Sequence, residues 1–322
     1  FTSSQDLYKD LLDKIKDGKV RRQAPLINAG YSIRVLAISS TILRLVKEKR
    51  RVLDSSKINL VFLGAGLDIV GIWACLIGTY DTSINANVQL YEVDCEENFN
   101  AKRDALLNSE ILSKHSSHDE VNVGDAKILK GRIGIYNEEE EVQDEGCNFT
   151  LVSSDLRDIS GLDKAFKATS FDSSVPTVVI SELVLAYLNL DQSGSHTNDL
   201  LNYISSQLCT SRHSIFLAYE PVFPGNDKDS KDTNIVQGYG QEYFSQFVSK
   251  LDRGNARDTT SGNQCNSKAV ESSSFAPIGK SSSHVIDRLR KSGFDGVVGC
   301  TPVAKAAGYI TESIQPPELF DE

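Results

Sequence analysis

Ile58-Asn59-Leu60-Val61-Phe62-Leu63-Gly64-Ala65-Gly66-Leu67-Asp68 decides the fold. A short, nearly unbroken apolar run has the length and composition of a strand buried on both faces, and it stops at two glycines one residue apart. Glycine is needed where the backbone turns sharply or lets a ligand come close, so the run reads as a buried strand meeting a tight turn. Downstream, a helix is expected through Trp73 and Leu76. A second strand, Val88-Gln89-Leu90-Tyr91-Glu92-Val93-Asp94, ends in acids, and residues 97–112 read as helix. The third strand is Phe149-Thr150-Leu151-Val152, ending at Asp155. The fourth is Pro176-Thr177-Val178-Val179-Ile180, ending at Ser181-Glu182. A helix over 191–208 leads to a fifth strand, Ser214-Ile215-Phe216-Leu217-Ala218-Tyr219-Glu220, and residues 284–292 form a last helix.

Upstream of the deciding stretch, Val35, Ile38, Ile42, Leu45 and Val46 recur at helical spacing, which predicts a helix within 30–50. Leu7, Leu11, Leu12 and Ile15 predict another over 6–20. Two stretches carry no period. Residues 113–148, with the acidic run Glu138 to Glu141, read as an irregular surface excursion. Residues 254–283 are rich in Ser, Asn, Gly and Thr and read as a polar loop insertion. Alternation of strand and helix predicts an α/β fold, a mostly parallel sheet with helices on both faces. The expected organisation is one domain over 1–322, with an N-terminal helical lid at about 1–55 and the polar insertion at about 254–283.

Composition narrows the partners. The chain has 322 residues, 40% of them hydrophobic, enough for a large core. Its net charge of −10 disfavours nucleic acid and anionic membranes. The one basic cluster, Lys47, Lys49, Arg50 and Arg51, reads as a solvated helix end. No run of about 18 apolar residues predicts a membrane span, and no secretory leader is recognisable. The six cysteines lack regular spacing and read as reduced thiols in a cytoplasmic protein. No cluster has metal-ligand spacing, so no metal is expected.

In a parallel sheet, ligands bind beyond the carboxyl ends of the strands. Gly64, Gly66, Glu92, Asp94, Asp155, Glu182 and Glu220 all fall at strand ends and would share that rim. The third position of the dinucleotide pattern GxGxxG is Ile69, and Asp68 stands where a pyrophosphate would be repelled. S-adenosylmethionine carries no phosphate and has a positive sulfonium and amine, which suits an acidic rim. Glu92 and Asp94 can accept from ribose hydroxyls, or can cap the following helix. Asp155 can accept the adenine amino group, with Leu156 offering its amide and an apolar surface, or can cap the helix begun near Asp158. Glu182 follows a wholly apolar strand, where a carboxylate needs a partner such as a cationic amine.

Further stretches carry a family resemblance. Arg22-Gln23-Ala24-Pro25-Leu26-Ile27-Asn28-Ala29-Gly30-Tyr31 with Arg34 resembles the "APxINxGYxxR" segment of the leucine carboxyl methyltransferase family. Leu63 to Asp68 resembles its "LGAGxD", Glu92-Val93-Asp94 its "EVD", and Asp155-Leu156-Arg157-Asp158 its "DLRD". Ser181 to Tyr187 is similar to "xExVLxY", and Tyr219-Glu220-Pro221 to the "YEQ" element. The matches run in order over about residues 21 to 296.

The resemblance implies a Rossmann-like, class I S-adenosylmethionine-dependent methyltransferase. It would methylate the C-terminal leucine carboxylate of the catalytic subunit of type 2A protein phosphatases. It implies that Arg34 binds the methionine carboxylate of the cofactor and that Gly64 and Gly66 pack against it. Asp94, with Glu92, would hold the ribose, Asp155 and Leu156 the adenine, and Glu182 the amino end. Tyr187 would stand by the methyl group or the substrate carboxylate as the catalytic position. A monomer is expected. Ala29 departs from an Arg of the family, and Gly238-Tyr239-Gly240 is the nearest remnant of its Asp-Arg-Phe-Gly element. The family's N-terminal lysine-bearing segment and its C-terminal strands are not evident in the sequence. Three rivals stay open: a tRNA wybutosine-synthesis carboxyl methyltransferase, another O-methyltransferase, and an inactive cofactor-holding module that docks on a phosphatase.

Overall fold

The computed structural model describes residues 34–46, 57–80, 87–108, 118–134, 146–188, 195–220 and 282–296. The helix predicted within 30–50 is present over the described residues 34–46 (α1), with Ile38, Ile42 and Val46 buried at helical spacing. The predicted helix at 6–20 lies outside the described residues, as does the polar stretch 254–283 apart from its last two positions.

From there the chain runs through β1 (Lys57–Leu63), α2 (Val70–Tyr80), β2 (Asn87–Asp94), α3 (Glu96–Asn108), β3 (His118–Val123), β4 (Ala126–Gly134) and β5 (Gly146–Ser153). Next come α4 (Ile159–Ala168), β6 (Thr177–Glu182), α5 (Leu185–Leu188), α6 (Ser195–Tyr203), β7 (Ile215–Tyr219) and α7 (Ser282–Lys291). Between α6 and β7 lies a π-helical turn, Ile204–Leu208. The seven strands form one sheet in the order β3-β4-β5-β2-β1-β6-β7. It is the mixed, mostly parallel α/β sheet the sequence predicts.

β1 is buried at every position after Lys57, as its composition requires of a central strand. Its one polar residue, Asn59, is satisfied inside the sheet. The side-chain amide donates to the Asp172 carbonyl at 2.9 Å and to Thr177 Oγ1 at 3.2 Å. β1 pairs in parallel with β2, and β2 with β5, so that Leu63 stands opposite Val93 and Asp94 opposite Ser153. The three strands therefore end flush.

α2 is apolar nearly all round and packs on β2 and β5. α3 also packs on β2 and β5, and α4 packs against β3 and β4. Asp158 caps α4 by accepting the Gly161 amide at 3.0 Å, and Leu162, Ala165 and Phe166 form its buried stripe. Phe166 and Phe171 close on Tyr91, with ring centroids 5.1 to 6.2 Å apart in tilted and edge-on pairs.

Two expectations need correction. Residues 113–148 are not irregular throughout, because 118–134 form the antiparallel hairpin β3–β4, whose second strand pairs with β5. β3 is polar and exposed along almost its whole length and lies at the sheet edge, where apolar alternation is not needed and charge discourages further pairing. The acidic run Glu138 to Glu141 lies outside the described residues. The cysteines are not all thiols. Cys75 on α2 and Cys147 on β5, with Cα atoms 5.9 Å apart, are joined as a disulfide. They are 72 residues apart in sequence, and only the packing of α2 on β5 brings them together. Cys95 and Cys209 are thiols.

By contacts the chain divides into two compact units. The first holds the described residues up to Ile180 together with Gln207–Leu217. The second holds Ser181–Ser206 and the described residues from Ala218 to 296. Within the second, Arg288 Nε of α7 donates to Asn198 Oδ1 of α6 at 2.8 Å, and Ser205 Oγ to the Ser292 carbonyl. Among the described residues, no helix is long and apolar enough to cross a membrane.

Candidate functional site

The first unit gathers the glycine turn, Asp94 and the start of the segment after β5 at one end of the sheet. Leaving β1, the Gly64 and Ala65 amides donate to the Val93 carbonyl at 2.8 and 3.3 Å, so the turn folds back over β2. Gly64 and Gly66 have φ of 68° and 55°, the left-handed region that costs other residues about 1–2 kcal/mol. Asp94 then ties the turn to β2: its Oδ2 accepts the Gly66 amide at 2.5 Å. Its Oδ1 accepts the Cys95 amide at 2.7 Å and the Asn98 side-chain amide at 2.9 Å. Three donors on a carboxylate with about four acceptor sites leave room for one more, such as a hydroxyl. Asp94 is half-buried, as a ligand acceptor should be.

Asp68 settles what the next helix can hold. Its Oδ1 accepts the Val70 amide at 2.9 Å, so the start of α2 is capped by the chain's own carboxylate. A helix N-terminus attracts phosphate only while its amides and positive end are unopposed. A pyrophosphate here would meet Asp68, as the sequence predicts.

Glu92 and Asp94, paired on the ribose by sequence reasoning, occupy different environments. Glu92 is 3% exposed, and its carboxylate meets Lys102 Nζ at 2.6 Å, itself 3% exposed. Lys102 also donates to the Asp68 carbonyl, so one ammonium links the β2 acid to the end of the glycine turn. Burial pushes the Glu92 carboxyl up, and Lys102 pulls it back down. Together with Gly66, Asp94, Asn98 and Phe99, the ion pair lines a small depression beside the turn.

Gly71 makes the burial of Glu92 possible. A Cβ there would collide with Glu92 Oε1 and come within 3.0 Å of Leu90 Cδ1 and Phe62 Cε2. Gly to Ala within a helix ordinarily stabilises by roughly 0.5–1 kcal/mol. Gly71→Ala is expected to do the reverse and lower stability by about 1–3 kcal/mol through overpacking. Denaturant unfolding reads the sign, and a variant as stable as the parent would remove the close approach from the account.

After β5, the Ser154 amide donates to the Asp94 carbonyl at 2.9 Å, and Asp155 follows, exposed. Both Asp155 oxygens are engaged by Arg157, Nη2 to Oδ2 at 2.7 Å and Nε to Oδ1 at 2.9 Å. An exposed pair of this kind is worth about 1 kcal/mol or less and yields readily to another donor. Leu156 is buried. Arg34 opens the described part of α1 and is partly buried.

Glu182 and Tyr187 belong to the second unit. Glu182 ends β6, and Leu183 follows with φ of 55°, a strained conformation for a branched side chain. Tyr187 lies partly exposed in α5, its amide donating to the Val184 carbonyl at 3.0 Å.

Sequence reasoning passed over Lys102, Gly71 and Asn98. Lys102 left a trace: it shares the 3- and 4-residue spacing of Phe99, Ala105 and Leu106, the buried stripe of α3. A lysine in an apolar stripe implies a buried acid. Gly71 and Asn98 left none, since their roles depend on which strand lies beneath.

A profile of the family "Leucine carboxyl methyltransferase" matches residues 2–200. Over 204 residues the chain is 26% identical to "Leucine carboxyl methyltransferase 1 homolog" of Arabidopsis thaliana, covering 63% of this chain and 52% of that one. It is 25% identical over 234 residues to "Leucine carboxyl methyltransferase 1" of Candida albicans, covering 72% and 57%. It is also 22% identical over 223 residues to "tRNA wybutosine-synthesizing protein 4" of Emericella nidulans, covering 69% of this chain and 18% of that protein. The chain thus spans about half the length of the carboxyl methyltransferases it matches.

Proposed function

This chain belongs to the leucine carboxyl methyltransferase family, and we propose that it transfers a methyl group from S-adenosylmethionine to the C-terminal leucine carboxylate of a protein, the type 2A phosphatase catalytic subunit. The observation that carries the choice of cofactor is the pair of acids at the glycine turn. Asp94 holds the Gly66 amide with an acceptor site to spare, and Asp68 closes the helix start to phosphate. That pair of acceptors fits a ribose on a cationic ligand, and Asp68 opposes the pyrophosphate of a dinucleotide.

Asp94 accepts from the ribose, and Glu92, paired with Lys102, lines the same depression. Gly64 and Gly66 let the ligand approach the backbone, Asp155 and Leu156 receive the adenine, Arg34 takes the methionine carboxylate and Glu182 the amine. Tyr187 orients the accepting carboxylate. S-adenosylmethionine, when bound, supplies an electrophilic methyl group on a sulfonium. A C-terminal carboxylate is already ionised at neutral pH, so no general base is required of the protein. The chain's contribution is alignment of the two reactants and exclusion of water from a step that neutralises opposite charges.

The test is titration calorimetry with S-adenosylmethionine and, separately, NAD. Transfer of tritiated methyl to a phosphatase catalytic subunit with and without its terminal leucine follows. Binding of the methyl donor alone, and base-labile label that depends on the leucine, is the expected result. Preference for NAD would overturn the cofactor assignment. Label on tRNA in place of the phosphatase would favour the wybutosine branch, which the net charge of −10 opposes.

A further inference from the structure

The chain leaves β7 at Glu220, beyond the stretch that the family profile matches, and spends that side chain on the backbone of another segment. Glu220 Oε1 accepts the Ser181 hydroxyl at 3.0 Å and the Val184 and Leu185 amides, each at 2.9 Å. Its Oε2 accepts the Ala186 amide at 3.3 Å. Next to it, the Tyr219 carbonyl accepts the Leu183 amide at 2.9 Å. The segment so tied carries Glu182 and Tyr187.

A non-glycine residue at positive φ persists only where its surroundings over-determine it. Leu183 has φ of 55°, and the bonds to Tyr219 and Glu220 bracket it on both sides. α5, the four residues Leu185–Leu188, is too short to hold a turn by itself. Its first amides depend on an outside acceptor, and Glu220 is that acceptor.

We propose that Glu220 is a positioning residue: by gathering the amides of Val184, Leu185 and Ala186 it fixes the Leu183 turn and thereby aims Glu182 and Tyr187. The consequence for ligand binding rests on the function proposed above, whereas the anchoring itself does not. The carboxylate is held against its own preference. Burial pushes it up to about 7, and the Leu185, Val184, Ser181 and Ala186 donors pull it down less than burial raises it.

Three variants test this. Glu220→Ala removes every acceptor, and Glu220→Gln keeps one oxygen. Thr197→Val serves as control, since Thr197 Oγ1 bonds the same segment through the Leu185 carbonyl, at 3.2 Å, and not through the amides that Glu220 gathers. In Glu220→Ala, hydrogen exchange at Val184, Leu185 and Ala186 should quicken while β1 and β2 amides keep their protection. Affinity for S-adenosylhomocysteine and KM for the methyl donor should worsen by about 10- to 100-fold, the scale of a roughly 1 Å misplacement. Glu220→Gln should fall between, and Thr197→Val should lower Tm with affinity unchanged. If Glu220→Ala does not fold, Glu220→Gln carries the test.

Unchanged exchange at the three amides would overturn the anchor. Faster exchange with unchanged affinity would overturn its role in the site. If the parent itself binds no S-adenosylhomocysteine, the proposed function fails, and the exchange measurement still decides the anchor.

Discussion

Lys102→Met should lower the free energy of unfolding by about 3–5 kcal/mol at pH 8, the cost of leaving a buried charge without its partner. Glu92 would remain 3% exposed with no cation beside it. The Asp68 carbonyl at the end of the glycine turn would lose its donor as well. The double variant Glu92→Gln with Lys102→Met should recover most of the loss, because a buried ion pair contributes little net stability once both charges are gone.

The pH dependence has a definite sign. The Glu92 carboxyl is already raised by burial, and Lys102 is the main influence lowering it. Without Lys102 it rises further, so the folded variant keeps its proton through a pH range where the unfolded chain, near 4.3, has lost it. The folded state then binds more protons than the unfolded state. Stability therefore falls as pH rises through that window and returns as pH falls. The deficit of Lys102→Met should shrink between pH 8 and pH 5.5, read by urea unfolding at each pH. An equal deficit at both pH values, or a double variant no better than the single one, would sink the account of a buried ion pair.

What the sequence revealed, and what it hid, follows from where each residue's partners lie. β1 and the glycines after it were legible because a central parallel strand must be apolar throughout and its turn must reach left-handed φ. The acids at strand ends were legible as positions, since one placement rule covers every parallel strand. Their individual roles were not. Glu92 and Asp94 are two residues apart and equally acidic. They share one face of β2, yet Glu92 lies within the strand, covered by Lys102 of α3 and by Gly71, while Asp94 is the last residue of the strand, beside Gly66. The hairpin β3–β4 was hidden because His118-Asp119-Glu120 at an edge satisfies no apolar pattern. Glu220 was visible as a strand-end acid, but its work is on amides more than thirty residues earlier, and no spacing rule reaches that far.

Asp94→Ala should weaken binding of S-adenosylhomocysteine by about 30- to 1000-fold. The bonds at stake involve an ionised acceptor, worth about 1.5–3 kcal/mol each, and a net loss of about 2–4 kcal/mol, between one such bond and two, converts to that range. The damage has two parts. The ribose loses its acceptor, and the Gly66 and Cys95 amides lose theirs, so the turn loosens as well. Asp94→Asn separates the two. Its amide keeps one acceptor oxygen but brings an NH2 group against donors already in place, so it should hold the turn in part and the ribose poorly. A ligand series makes the assignment specific. The parent should bind the 2′-deoxy analogue of S-adenosylhomocysteine less well than the ribose form. Asp94→Ala should bind the two alike, because the acceptor that distinguishes them is gone. If Asp94→Ala keeps the parent's preference for the ribose form, Asp94 is not the ribose acceptor, whatever happens to absolute affinity. If it keeps the parent's affinity too, the acidic turn after β1 and β2 does not hold the cofactor.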